Sequence, residues 1–155
     1  MAGTLGTQVV TQVGFVVKDA AKTKKKWAEF FGVKEPPLVD AGDYEITQTK
    51  YKGKAAPKAG CTMAFFDVGP NMQLELIQPN GEKSTWQEFL DKHGEGIHHI
   101  AFQVKGMDKV IKQAEGFGIK CAQRGKYGDA SGEYAYLDGT KDLKCIVELL
   151  ESFKK

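Results

Sequence analysis

Gly96-Ile97-His98-His99-Ile100-Ala101-Phe102-Gln103-Val104 is the stretch that decides how this chain is read. It holds two of the chain's three histidines, side by side in a strand-like run. It also opens a pattern used once before. The segment from Gln12, QVGFVVKDAAKTKKKWAEFFGVK, aligns with the segment from His99, HIAFQVKGMDKVIKQAEGFGIK. Gly14-Phe15-Val16-Val17-Lys18-Asp19 falls on Ala101-Phe102-Gln103-Val104-Lys105-Gly106, and Gly32-Val33-Lys34 falls on Gly118-Ile119-Lys120. Further on, Leu74-Glu75-Leu76-Ile77 matches Val147-Glu148-Leu149-Leu150. A duplication of this kind sets four polar residues in equivalent places: Gln12 with His99, and Glu75 with Glu148.

The bulk numbers fit a folded chain of one compact domain or two small fused modules. Its 155 residues are 41% hydrophobic and 27% charged, enough for a core and ordinary for a soluble protein. A net charge of +2 gives no argument for nucleic acid or an anionic membrane. The lysines of Lys22-Thr23-Lys24-Lys25-Lys26 are a local run that suits a solvated helix face. No apolar stretch approaches the roughly 18 residues needed to span a bilayer. The opening residues lack the basic start and apolar core of a secretory signal. Cys61, Cys121 and Cys145 are odd in number and have no CxxC spacing, so they read as buried thiols in a reducing compartment. These features together point to the cytoplasm.

Taken in order, residues 1–11 read as a lead-in. Gln12 to Val17 reads as a strand. Asp19 then caps a helix whose stripe of Ala20, Lys24, Trp27, Ala28 and Phe31 ends at Gly32. Pro36-Pro37 excludes both helix and central strand. Residues 44–51 alternate as a second strand, 52–60 form a loop, 61–67 a third strand and 72–78 a fourth. The first module, 12–79, is therefore β-α-β-β-β. Ser84 with Gln87 three positions on is a capping-box signature, and it opens a helix in a connector over 80–95. The second module, 96–151, repeats the order: strand 97–104, helix from Asp108 to Phe117, and strands near 119–126, 133–138 and 143–150. Residues 152–155 form a tail. The fold class is α+β, two tandem βαβββ modules forming a curved mixed sheet around a central cavity. No GxGxxG, P-loop or nucleophile elbow appears, which argues against nucleotide binding and serine hydrolysis.

Successive strand side chains face opposite sides. Glu75 lies between Leu74 and Leu76, and Glu148 between Val147 and Leu149, so each carboxylate faces away from its apolar neighbours. With those neighbours against the helices, the carboxylates face the concave side of the sheet. By the same alternation, His98 and His99 are expected on opposite faces. Taken singly, either glutamate also fits an exposed strand position, and a lone strand histidine fits a structural role. The duplication selects all four positions together. One nitrogen and three oxygen donors suit a divalent metal such as Mn, Fe, Co, Ni, Zn or Mg.

The repeat, Leu74-Glu75-Leu76-Ile77-Gln78-Pro79, Phe89-Leu90-Asp91-Lys92-His93 and the run GEGIHHIAF at 94–102 resemble the vicinal oxygen chelate superfamily. That superfamily contains glyoxalase I, extradiol dioxygenases and methylmalonyl-CoA epimerase; the likeness runs from about Gln12 to Glu151 and is greatest to the epimerase. The resemblance implies a divalent metal held by Gln12, Glu75, His99 and Glu148, with Glu148 as the catalytic proton shuttle. It implies an isomerase or lyase that abstracts a proton beside a carbonyl through a metal-stabilised enolate, acting on an acyl-CoA or a hemithioacetal. It also implies a homodimer, with modules paired within one chain or exchanged between two. Two departures stand out. Gln12 takes the place of a histidine, and the strand from Cys61 carries no carboxylate before Asp67 as a second acid/base. A lactoylglutathione lyase-like activity is the first alternative. A non-catalytic small-molecule binder is the second, its cavity drawn from Trp27, Phe65, Phe66, Trp86, Tyr127, Tyr134 and Tyr136.

Overall fold

Two strand–helix units, repeated, generate one continuous curled sheet. The computed structural model describes residues 3–153. Positions 1–2 of the expected lead-in and 154–155 of the expected tail lie outside the described residues. In chain order the elements are β1 (Val10–Val16), α1 (Ala20–Phe31), β2 (Val39–Asp40), α2 (Tyr44–Thr47), β3 (Lys50–Tyr51), β4 (Lys54–Ala55), β5 (Cys61–Asp67), β6 (Gln73–Pro79), α3 (Thr85–His93), β7 (Gly96–Gln103), α4 (Met107–Gly116), β8 (Lys120–Lys126), β9 (Gly132–Gly139) and β10 (Cys145–Ser152). None of these helices is long and apolar enough to cross a membrane.

The sheet order is β2-β5-β6-β1-β7-β10-β9-β8-β3-β4. The repeat is visible in it: β1 runs parallel to β6, β7 parallel to β10, and β1 meets β7 antiparallel at the centre. The fold is thus α+β, with a mixed sheet curled into a half-barrel. The helices cover its convex side in matching ways. Leu74 and Leu76 pack with Ala20 and Ala28 of α1, and Val147 and Leu149 pack with Val110, Ile111 and Ala114 of α4. The turn residues also act as expected. Asp19 accepts from the Lys22 amide, Gly32 closes α1 at φ 70°, and Ser84 accepts from the Gln87 amide, although the Gln87 side chain accepts from the Gly81 amide instead of completing a capping box.

One tie between sheet and helix repeats without a sequence signature. Gln78, three residues beyond Glu75, accepts from the first amide of α1, that of Ala20, at 2.9 Å. Glu151, three beyond Glu148, accepts from the amides of Gly106 and Met107 at 2.8 and 2.9 Å. A carboxylate or amide oxygen there satisfies helix donors that have no intrahelical partner.

Of the second strand expected over 44–51, only the last two residues form one, as β3. The first module's second strand is the two-residue β2, paired with β5 just past Pro36-Pro37. Residues 44–47 coil into the short helix α2, closed by Gln48 at φ 50°, whose side-chain amide donates to the Tyr44 and Glu45 carbonyls. The alternation of this run was real but tertiary demand overrode it, because the chain must leave the β2 edge and reach the β8 edge. It does so through β3, which pairs with β8 at Lys50–Arg124 and Tyr51–Gln123. The expected loop over 52–60 begins as a hairpin turn, with Lys52 and Gly53 both at positive φ, and continues into β4. Such a turn matches the strand twist and needs left-handed residues. Residues 41–55 thus form a strap from one end of the half-barrel to the other. The strap is fastened to α3, where Glu88 accepts from the Tyr51 phenol and pairs with Lys52 at 3.0 Å.

The lead-in also has a place. β1 starts at Val10, and Leu5 is partly buried against the cluster under α4.

Candidate active site

The concave side of the half-barrel encloses a cavity of about 640 Å³. Strands β1, β6 and β10 turn Gln12, Glu75 and Glu148 into it, and β5 contributes Cys61, Met63 and Phe65. Trp86 of α3, with Tyr134 and Tyr136 of β9, also lines it. Of the seven aromatics expected as candidates for a cavity wall, Phe65, Trp86, Tyr127, Tyr134 and Tyr136 line this one. Trp27 packs instead against Phe15 and Phe31, and Phe66 belongs to the core beneath α1.

The structure brings Gln12, Glu75, His99 and Glu148 to one point. They are 4%, 5%, 0% and 4% exposed, so the exposed-strand alternative for the glutamates does not hold. His99 Nε2 lies 2.8 Å from Glu148 Oε2, 3.4 Å from Glu75 Oε1 and 2.9 Å from Gln12 Oε1. The register explains the convergence: Gly14 sits between Glu75 on one side and His99 on the other, while Ala101 sits beside Glu148 and Gln12. Gly14 is essential to the packing. A Cβ there would stand 2.1 Å from His99 Cε1 and 2.5 Å from Nε2, so the imidazole occupies the space that a methyl would need.

Among the described residues neither carboxylate has a lysine or arginine partner, and two buried carboxylates without one are costly. Burial, reinforced by the charge of Glu148, pushes the Glu75 carboxyl well above the usual carboxylate range. Burial likewise raises the Tyr136 phenol and the Cys61 thiol, so both stay protonated beside the carboxylates. A cation would remove this strain. The donors of Glu75, His99 and Glu148 all lie within 4.8 Å of one another. Ligands adjacent in an octahedral shell at about 2.1 Å from the ion stand roughly 3 Å apart, and the 2.8 to 3.4 Å spacings around Nε2 agree with that. The group is able to hold a divalent ion.

Gln12 has two useful orientations. With its nitrogen inward, it lies 2.8 Å from Glu148 Oε2 and 3.2 Å from Glu75 Oε1 and donates to both. With its oxygen inward, it presents an acceptor to the cluster while its nitrogen donates to Gln73 Oε1 at 3.3 Å. The first suits bare carboxylates and the second suits a cation. Gln73, paired in register with Gln12, was not legible as a site residue, because only the strand pairing brings it there.

His98 is not where alternation put it. Between Gly14–His99 and Phe15–Ile97 the β1–β7 ladder skips a residue, so His98 forms a bulge. Both imidazoles therefore stand on the same side of the sheet, each packed on Tyr136 at 5.0 and 5.2 Å. The second acid sought in the strand from Cys61 is absent from that strand, but Asp40 of the adjoining β2 lines the cavity beside it.

A profile of the Glyoxalase/Bleomycin resistance protein/Dioxygenase superfamily matches residues 11–136. The chain is 34% identical over 97 residues to an ethylmalonyl-CoA/methylmalonyl-CoA epimerase of Cereibacter sphaeroides, a match covering 60% of this chain and 71% of that protein. It is 31% identical over 90 residues to the uncharacterized protein YqjC of Bacillus subtilis, covering 57% of this chain and 64% of YqjC's length. The crystal structure of methylmalonyl-CoA epimerase from Mycobacterium tuberculosis shares the fold at a TM-score of 0.66 with 20% identity, over 99% of this chain and 93% of that one. With its duplicated modules and with four-fifths of its length matched, the chain belongs to the glyoxalase/bleomycin resistance protein/dioxygenase superfamily.

Proposed function

We propose that this protein is a metal-dependent isomerase or lyase that removes a proton from a carbon beside a carbonyl, in the manner of an epimerase of 2-carboxyacyl-CoA thioesters. The observation that carries the reading is the convergence of Gln12, Glu75, His99 and Glu148 on one point at the wall of the cavity. The kinship with an ethylmalonyl-CoA/methylmalonyl-CoA epimerase supports the acyl-CoA class.

Gln12, Glu75, His99 and Glu148 would hold a divalent ion. When bound, it supplies Lewis-acid stabilisation of the charge that develops on the substrate's carbonyl oxygen. Glu148 takes the proton from the carbon, and the C–H electron pair passes toward that oxygen. The apolar wall of Met63, Phe65 and Trp86 excludes water from the reacting carbon. Return of the proton from Glu148 restores the original centre; delivery from Asp40 to the opposite face inverts it. Asp40 is anchored for this by accepting from the Gly42 amide at 2.8 Å.

The test is proton exchange in D₂O at the carbon between carboxylate and thioester of methylmalonyl-CoA, with Co²⁺ or Mn²⁺ added. Metal-dependent deuterium incorporation, lost in Glu148→Gln, is the expected result. No exchange with this thioester, alongside turnover of methylglyoxal with glutathione, would move the reading to hemithioacetal lyase chemistry. Neither activity, with ligand binding that survives chelation, would overturn it in favour of a binding protein.

A further inference from the structure

We propose that His98 is a positioning residue for the site: through a ring-to-ring hydrogen bond it fixes the tautomer of His99, so that the His99 Nε2 lone pair is presented to the ion. The inference rests on the metal reading above. His98 Nδ1 lies 2.9 Å from His99 Nδ1, with the two rings nearly perpendicular at 89°. Both side chains are buried, so no bulk water competes for the contact.

Two nitrogens at that distance share one proton, which leaves two arrangements. When His99 Nδ1 donates, His99 Nε2 is free to ligate and His98 carries its own proton on Nε2. When His98 Nδ1 donates, His99 carries its proton on Nε2, pointing at Glu148, and ligation is blocked. His98 therefore decides which face of His99 is basic, a role usually filled at metal-binding histidines by a carboxylate or a backbone carbonyl. Here the neighbour in sequence fills it, and only the bulge allows that. In a regular strand the two rings would lie on opposite faces.

Packing alone does not account for this arrangement. His98 fits between Phe89 and Tyr136 at 5.4 and 5.0 Å, where an apolar ring would also fit. Among the described residues its buried Nε2 nevertheless has no partner of full hydrogen-bond geometry, only the Thr85 backbone nearby. That is an expense of about 1–3 kcal/mol for a polar atom, which phenylalanine would avoid.

The experiment compares the full-length protein with His98→Asn and His98→Phe. Asparagine places an oxygen near the position of Nδ1 and keeps the acceptor; phenylalanine keeps the ring and removes it. Co²⁺ affinity is measured by calorimetry, and the His99 ring nitrogens are followed by ¹⁵N NMR in metal-free protein. For His98→Phe the expected result is Co²⁺ affinity weakened about 10- to 100-fold, with His99 changing from one tautomer to a mixture. His98→Asn should stay near wild type in both readouts, even where its thermal stability falls. Equal Co²⁺ affinity and an unchanged His99 tautomer in His98→Phe would overturn the proposal. If wild type itself binds no divalent ion, the metal reading fails, and the nitrogen spectra alone decide whether His98 fixes His99.

Discussion

Gly14→Ala isolates the steric basis of the site. The residue lies in the interior of β1, outside the positive-φ region, so alanine carries no backbone strain. Its whole effect comes from a methyl carbon placed 2.1 Å from His99 Cε1, 2.5 Å from Nε2 and 2.6 Å from Nδ1. Non-bonded carbons need roughly 3.5 Å, so the ring must retreat by about 1.4 Å. It has nowhere to go that preserves its contacts, because Nε2 is fixed by Gln12 and Glu148 and Nδ1 by His98 at 2.8–2.9 Å. Overpacking of this kind costs about 1–3 kcal/mol, and one hydrogen bond broken in a buried site adds about 1 kcal/mol. The expected destabilisation is therefore about 2–4 kcal/mol, a fall in Tm of roughly 4–16 °C for a chain of this size. Urea unfolding of metal-free protein measures the first quantity, and Co²⁺ titration should show the affinity falling by at least tenfold. A Gly14→Ala protein within about 0.5 kcal/mol of wild type, with unchanged Co²⁺ affinity, would refute the claim that His99 is held by its fit over this glycine.

Three further outcomes are expected. Glu148→Gln should lower the proton-exchange rate by about 10²–10⁴ while leaving metal-free urea stability equal or higher, because it removes the like charge that adds to burial in raising the Glu75 carboxyl; a parallel loss of stability would mean that Glu148 is chiefly structural. Asp40→Asn should preserve deuterium exchange but slow inversion of the carbon centre, as read by chiral analysis of the product, and equal loss of both would remove Asp40 from the opposite-face role. Hydrogen bonding from Tyr51, then Lys52, holds the Glu88 carboxyl at about 2. Its folded value is depressed, so its contribution is present above the unfolded value of about 4.3 and is lost as pH falls toward 2. The stability gap between wild type and Glu88→Gln should narrow over that range and shrink in high salt, since the pair is partly exposed; a gap independent of pH would show that Glu88 does not hold the strap by charge.

The sequence was most legible where local chemistry and tertiary need agreed. The duplication, the stripe of α1 between Asp19 and Gly32, the Ser84 cap of α3 and the alternation around Glu75 and Glu148 were all readable before any coordinates. Each rests on a period or a cap that the fold then used. Reading failed at 44–47, where a strand-like alternation coils into α2 and leaves only 50–51 as strand, because crossing the mouth of the half-barrel imposed a path that no local preference encodes. It failed again at His98, because a bulge arises from the pairing of two strands and leaves no mark on either one alone.

What the sequence by itself determined was the inventory: two copies of a strand–helix module, and four polar residues at equivalent positions in apolar strands. What only the tertiary structure decided was their meeting. Parallel pairing of β1 with β6 and β7 with β10, joined through β1 and β7, sets Gly14 between Glu75 and His99 and Ala101 between Gln12 and Glu148. Residues up to 136 positions apart in the chain, Gln12 and Glu148, come within 2.8 Å through that register alone. Local sequence fixes side-chain type and strand period. Register, bulge and the curl of the sheet are properties of pairs of strands, and those pairs exist only in the folded chain.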